Sequence, residues 1–105
     1  MLRINNKYIK DMIKIQQEEN GSKGEFVIYE NEQRAGEMTY TYAGDDKIII
    51  DHTGVEEQYN GRGFGKDLFN KVIEFARNKN LKVIPLCPFA KKLFDKDETL
   101  QDLKA

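Results

Sequence analysis

The stretch that most constrains this chain runs from Thr53 to Lys66, where Gly61, Gly63 and Gly65 alternate between an apolar run, Ile48-Ile49-Ile50, and an amphipathic segment. Glycines let the main chain turn tightly and approach a ligand closely, and the first turn of a following helix offers unpaired N–H groups at the positive end of its dipole. A strand, a glycine loop and a helix in this order make a junction that can hold a phosphate. Beyond the loop, Leu68, Phe69, Val72, Ile73 and Ala76 recur at helical spacing while Asp67, Lys71, Glu74 and Arg77 lie away from that stripe, and Asn78-Lys79-Asn80 closes the helix. Leu81 to Leu86 reads as a further apolar strand. Together these elements form a βαβ crossover, with parallel strands and a right-handed connection.

The chain ahead of the crossover reads as antiparallel β-structure. Met12-Ile13-Lys14-Ile15-Gln16 alternates weakly, Glu25 to Tyr29 is an apolar, β-rich run, and Glu19 to Gly24 between them has the composition of a hairpin turn. Asn31 to Arg34 turns the chain into Ala35 to Tyr42, where Met38, Tyr40 and Tyr42 alternate with Glu37, Thr39 and Thr41, as in a half-buried strand. Ala43 to Asp46 turns again, into Lys47 to His52, whose three consecutive isoleucines suit a strand covered on both faces. After the crossover, Pro88 and Ala90 to Phe94 predict a short second helix, because proline suits a first turn.

A chain of 105 residues is one domain with a single core. Its 17 basic residues balance 18 acidic ones, which argues against a nucleic-acid-binding protein or one drawn electrostatically to membranes. No apolar run approaches the roughly 20 residues of a bilayer span, and the N-terminus lacks the apolar stretch of a signal peptide, so the expected setting is cytoplasmic. The one cysteine, Cys87, cannot form an internal disulfide, and with one histidine, His52, no zinc-ligand spacing exists.

Two common phosphate motifs fail on this loop. A nucleotide-binding P-loop around Gly65-Lys66 would need glycine at 60 and Ser or Thr at 67, where the chain has Asn60 and Asp67. A dinucleotide fingerprint counted from Gly61 would place its third glycine on Lys66, and no early βαβ unit surrounds it. Tyr59-Asn60-Gly61-Arg62-Gly63-Phe64-Gly65-Lys66-Asp67-Leu68, with Val55 ahead of it, instead resembles the acetyl-CoA-binding motif of the GNAT superfamily of N-acetyltransferases, with Asn60 where Arg or Gln is usual. His52-Thr53-Gly54-Val55 and Pro85-Leu86-Cys87-Pro88-Phe89 extend the likeness to a small stand-alone branch of about one hundred residues, over Glu25 to about Lys96. Met1 to Asp11 form an extension with no counterpart in this resemblance.

The resemblance implies a single α/β domain with a mixed, mostly antiparallel sheet and acetyl-CoA as cosubstrate, with no metal. The coenzyme pyrophosphate would sit on the N–H groups of Gly61 through Lys66, assisted by the cationic side chains of Arg62 and Lys66. The pantetheine arm would lie between the two parallel strands, along Thr53, Gly54 and Val55, with Cys87 and Pro88 across the gap. Cys87 directly precedes Pro88 near a helix N-terminus, with Lys91 and Lys92 in the next turn, a setting that favours a partly ionised thiol. It would either accept the acetyl group or protonate departing coenzyme A. His52 is the candidate base for an incoming ammonium, with Glu56 or Glu57 acting through a water as alternatives.

Many larger relatives carry a tyrosine on the helix after the last core strand as the acid for the leaving thiolate, where this chain has Phe89 and Phe94. Helices that commonly form the acceptor site are missing too, which suits an exposed amine on a protein or peptide. The expected activity is acetyl transfer to an amine by a monomer. The rival reading is a noncatalytic acyl-CoA binder or sensor with a self-acetylating Cys87.

Overall fold

A computed structural model describes residues 12–105. Five strands lie in sequence order across one sheet: β1 (Ile13–Asn20), β2 (Lys23–Glu30), β3 (Gln33–Tyr42), β4 (Lys47–Val55) and β5 (Lys82–Pro85). The first four are antiparallel, and β5 pairs with β4 in parallel. The parallel pair is joined by α1 (Phe64–Asn78), which is the expected crossover. A second helix, α2 (Pro88–Asp95), follows β5 with proline in its first turn, and a 3₁₀ segment, Glu98–Leu103, ends the fold. The extension Met1 to Asp11 lies outside the described residues.

The two hairpin turns are tighter than their composition suggests. The β1–β2 turn uses only Gly21 and Ser22, so both strands run on through residues that read as loop. Asn31 and Glu32, at φ 51° and 73°, turn β2 into β3 in two residues with positive φ, the geometry whose twist matches flanking strands. The pairing of β2 with β3 shifts after Ile28, and that of β3 with β4 shifts between Thr39 and Tyr40, so each junction carries a bulge.

One face of the sheet holds the core. Phe26, Ile28, Met38, Tyr40, Ile48 and Ile50 meet Leu68, Phe69, Val72, Ile73 and Ala76 of α1, the stripe read from the sequence. Ala90 and Phe94 of α2, with Leu100 and Leu103, extend the same cluster against Leu81 and Val83. Leu68 is fully buried, so truncating it to alanine costs about 2–5 kcal/mol of stability. The isoleucine run is covered unequally: Ile48 and Ile50 are fully buried, whereas Ile49, on the other face, is only half-buried. That second face is polar, carrying Glu25, Glu37, Thr39 and His52 around a buried Val27.

Candidate active site

The parallel pair parts early. Its register ends at Ile50 opposite Pro85, and the Ile50 carbonyl then accepts from the N–H groups of both Leu86 and Cys87, at 3.1 and 2.9 Å. The chain leaves β5 there and starts α2, while β4 continues to Val55 paired with β3 alone. His52 to Val55 therefore border a gap on the β5 side. Cys87 crosses it: its thiol donates to Thr53 Oγ1 at 3.2 Å.

From this gap a groove of about 470 Å³ runs to the glycine loop. Thr53 and Val55 form one wall, Asn60, Gly61, Gly63 and Lys66 the far end, and Phe64, Gly65, Phe89 and Leu93 the floor and opposite wall. Gly61 and Gly63 adopt φ of 80° and 81°, and a Cβ on either would meet no heavy atom within 4 Å. Their main chain thus faces open space in a conformation that L side chains rarely adopt. Gly63 is the N-cap of α1, whose first backbone bond runs from Asp67 N–H to the Gly63 carbonyl at 3.0 Å, so the amides of residues 64–66 precede the helical ladder. Gly65 has a different task. A Cβ there would lie 2.7 Å from the Phe89 ring, so glycine lets α1 and α2 approach at the groove.

The sequence candidates are not all equivalent in this setting. The Asn60 N–H already donates to the Glu57 carbonyl at 3.1 Å. Arg62 forms a bidentate pair with Glu30 of β2, Nη1 to Oε1 at 2.9 Å and Nη2 to Oε2 at 2.5 Å, and its guanidinium lies 4.8 Å from the Phe64 ring centre. The Arg62 guanidinium, through its hydrogen bonds first, holds the Glu30 carboxyl below the usual carboxylate range. Lys66 is exposed at the open end of the groove. Gly54, Arg62, Cys87 and Pro88 do not line the groove itself.

Cys87 is the N-cap of α2 and is 5% exposed. Lys91 lies in the turn after Cys87, as expected, and its ammonium pairs with Asp95 at 2.8 Å. His52 lies on the polar face of β4, its side chain 62% exposed, with Nε2 3.3 Å from Glu37 Oε2. Glu56 and Glu57 are exposed at the 3₁₀ turn Glu57–Tyr59. Sequence reasoning missed Tyr59 as a groove wall, stacked on Phe64 at 5.6 Å, and missed Glu30 and Glu37 as partners. The signal for Tyr59 was its place beside the loop; Glu30, far off in sequence, offered none.

Residues 25–103 match the family model described as GCN5-related N-acetyl-transferase. The chain belongs to this family. Acetyl-CoA-dependent acetyl transfer is the family's activity. Among solved structures, the NMR solution structure of a GCN5-like protein from Staphylococcus aureus is 39% identical, with a TM-score of 0.68 over 88% of this chain and 87% of that one. A ribosomal-protein-alanine N-acetyltransferase from Brucella melitensis (12% identity, TM-score 0.66, 81% and 90% coverage) shares the GCN5-related fold. So does an acetyl-CoA-bound GNAT acetyltransferase from Elizabethkingia anophelis (20%, 0.61, 70% and 64%). None of the curated proteins matches the chain. No helix among the described residues is long and apolar enough to cross a membrane. Among the described residues, no group of three or more His, Cys, Asp and Glu side chains is placed to hold a metal ion.

Proposed function

We propose that this GCN5-related protein transfers the acetyl group of acetyl-CoA to an exposed primary amine, using the groove between the parted strands as the coenzyme site. The observation that carries the reading is the early end of the β4–β5 register at Ile50 and Pro85, which leaves a β4 edge leading to the glycine loop. The chemistry of the groove supports this: open main chain at Gly61 and Gly63 and the first-turn amides of α1 suit a pyrophosphate, and Lys66 adds a cation. The edge at Thr53 to Val55 suits the amides of a pantetheine arm.

When bound, acetyl-CoA supplies an activated acetyl thioester. His52 takes the proton that an acceptor ammonium must lose before its nitrogen can form the amide bond. The Cys87 thiol, at the gap, gives its proton to the departing thiolate, in place of a tyrosine that α2 lacks, and the second proton that the nitrogen sheds as the amide forms restores the thiol. Water has access to His52, so the abstracted proton passes to solvent. A polar, solvent-facing surface around His52 suits an amine carried on a protein or peptide.

Intact-mass measurement after incubation with acetyl-CoA, alone and with a panel of small amines and lysine-containing peptides, tests this reading. An acetylated amine formed only with active protein supports it. Coenzyme binding with no product on any amine would favour the noncatalytic acyl-CoA binder.

A further inference from the structure

We infer that Glu37 is a positioning residue for His52, holding the imidazole so that one chosen nitrogen faces the acceptor. The inference rests on the proposed role of His52 as base. It starts from the register of β3 and β4. Glu37 pairs with Gly54, and His52, displaced by the bulge, pairs with Thr39, so all four belong to the polar face of the sheet. His52 and Glu37 therefore face each other diagonally, with Nε2 3.3 Å from Oε2.

Gly54 makes that meeting possible. A Cβ at this position would lie 2.6 Å from Glu37 Oε2 and 3.1 Å from His52 Nε2, so any other residue would push the carboxylate and the imidazole apart. A glycine inside a strand weakens it and often marks a place of close approach, and here close approach is what it permits. The carboxylate is itself fixed. Its other oxygen lies 3.5 Å from Arg34 Nη2, and the same nitrogen lies 3.3 Å from Glu25 Oε1. Glu37 is 21% exposed in its side chain against 62% for His52, so an anchored carboxylate holds one edge of a solvent-facing ring.

A carboxylate beside Nε2 favours the proton on that nitrogen. The neutral ring then keeps its lone pair on Nδ1, which becomes the site that accepts the amine proton. Without Glu37 the ring turns freely and shares the proton between both nitrogens.

His52 is the only histidine in the chain, so imidazole ¹⁵N spectra need no assignment. In the wild-type protein at a pH where the ring is neutral, Nε2 should give the protonated-type shift and Nδ1 the unprotonated one. In Glu37→Ala the two shifts should move toward each other, while the isosteric Glu37→Gln, whose amide oxygen still accepts from Nε2–H, should stay near wild type. In transfer assays Glu37→Ala should lower kcat about tenfold with KM for acetyl-CoA unchanged. In a His52→Gln background the same change should cost nothing further, because a residue acting through His52 has nothing left to position. Equal losses in both backgrounds, or shifts unmoved by Glu37→Ala, would overturn the role of Glu37 alone. An unchanged rate in His52→Gln would overturn the base assignment and this inference with it.

Discussion

Arg62 and Glu30 meet through the two terminal guanidinium nitrogens, at 2.9 and 2.5 Å, and so fasten the glycine loop to the β2 end of the sheet. The same guanidinium covers Phe64 at 4.8 Å from its ring centre, at the first residue of α1. At the proposed coenzyme site, this contact would act by ordering the loop ahead of the ligand.

Arg62→Ala and Glu30→Gln should therefore weaken coenzyme A binding by similar factors, and the double variant should be little worse than either. Titration calorimetry of the three proteins checks this. If Arg62 instead touched phosphate directly, Arg62→Ala alone would lose affinity, and the loss would shrink at high salt. The pair also sets an acid limit. Because Glu30 is held below the usual carboxylate range in the fold, its contribution is present above the unfolded value and is lost as pH falls through the lowered one. Coenzyme affinity at mildly acidic pH should stay near its neutral value in the wild type.

Gly63→Val should cost more affinity than Gly65→Ala. At Gly63, with φ of 81°, a β-branched residue is strained whatever room surrounds it, by roughly 1–3 kcal/mol, and the N-cap of α1 must shift to relieve it. At Gly65 the obstacle is the outer edge of the Phe89 ring, 2.7 Å from an added Cβ, on a side chain 43% exposed that can swing aside. Binding titrations alongside thermal unfolding separate the two effects. Equal affinities for wild type and Gly63→Val would remove the phosphate site from the loop.

The periodic parts of the fold were legible in the sequence, and the parts set by distant contacts were not. The stripe from Leu68 to Ala76 and the alternation of Met38 and Tyr40 each carry a period, and each is buried as that period requires. Thr53-Gly54-Val55 lies beyond the run Lys47 to His52 that the isoleucines mark as strand, and it continues that strand, paired with Met38, Glu37 and Gly36. Gly54 serves a cross-strand contact that only the register reveals. Arg62 read as a phosphate ligand from its place in the loop, and the side chain that engages it lies on β2. The 3₁₀ segment Glu98–Leu103 escaped notice because six residues carry too little pattern, although Leu100 and Leu103 both reach the core.

Alkali should expose a second polar cluster. Tyr40 and Tyr42 both donate to Glu19 Oε2, at 2.5 and 2.6 Å, and Gln17 Nε2 donates to the Tyr40 hydroxyl at 2.6 Å. Burial first, and the Glu19 carboxylate second, raise both phenols, Tyr42 to about 12 from an ordinary 10.0. A raised phenol pKa favours the neutral form in the fold, so this stability is fully present below pH 10.0 and is lost as pH climbs through the raised values. Ultraviolet titration should show Tyr40 and Tyr42 ionising late and together with unfolding, and Glu19→Gln should bring their ionisation to lower pH. All five tyrosines ionising together near 10 would contradict the network.

The last prediction separates direct attack by the amine from a covalent relay through Cys87. In a relay the sulfur bonds to the acetyl carbon as the coenzyme thiolate leaves, so acetyl-CoA alone should add one hydroxylamine-sensitive acetyl group per chain, which an amine then discharges with ping-pong kinetics. The geometry favours direct attack. Cys87 is 5% exposed, so its sulfur has little room to attack a thioester, and its thiol donates to Thr53 Oγ1 at 3.2 Å. As a general acid Cys87 is not replaced by serine, whose hydroxyl is a far weaker acid than a thiol. Cys87→Ser and Cys87→Ala should both slow transfer about tenfold without abolishing it, with acetyl-CoA binding retained in both. Thr53→Val, which removes the acceptor that aims the thiol, should slow transfer less than either. A labelled Cys87 that discharges to amine as fast as overall turnover, with Cys87→Ser inactive, would overturn direct attack and make the sulfur the nucleophile.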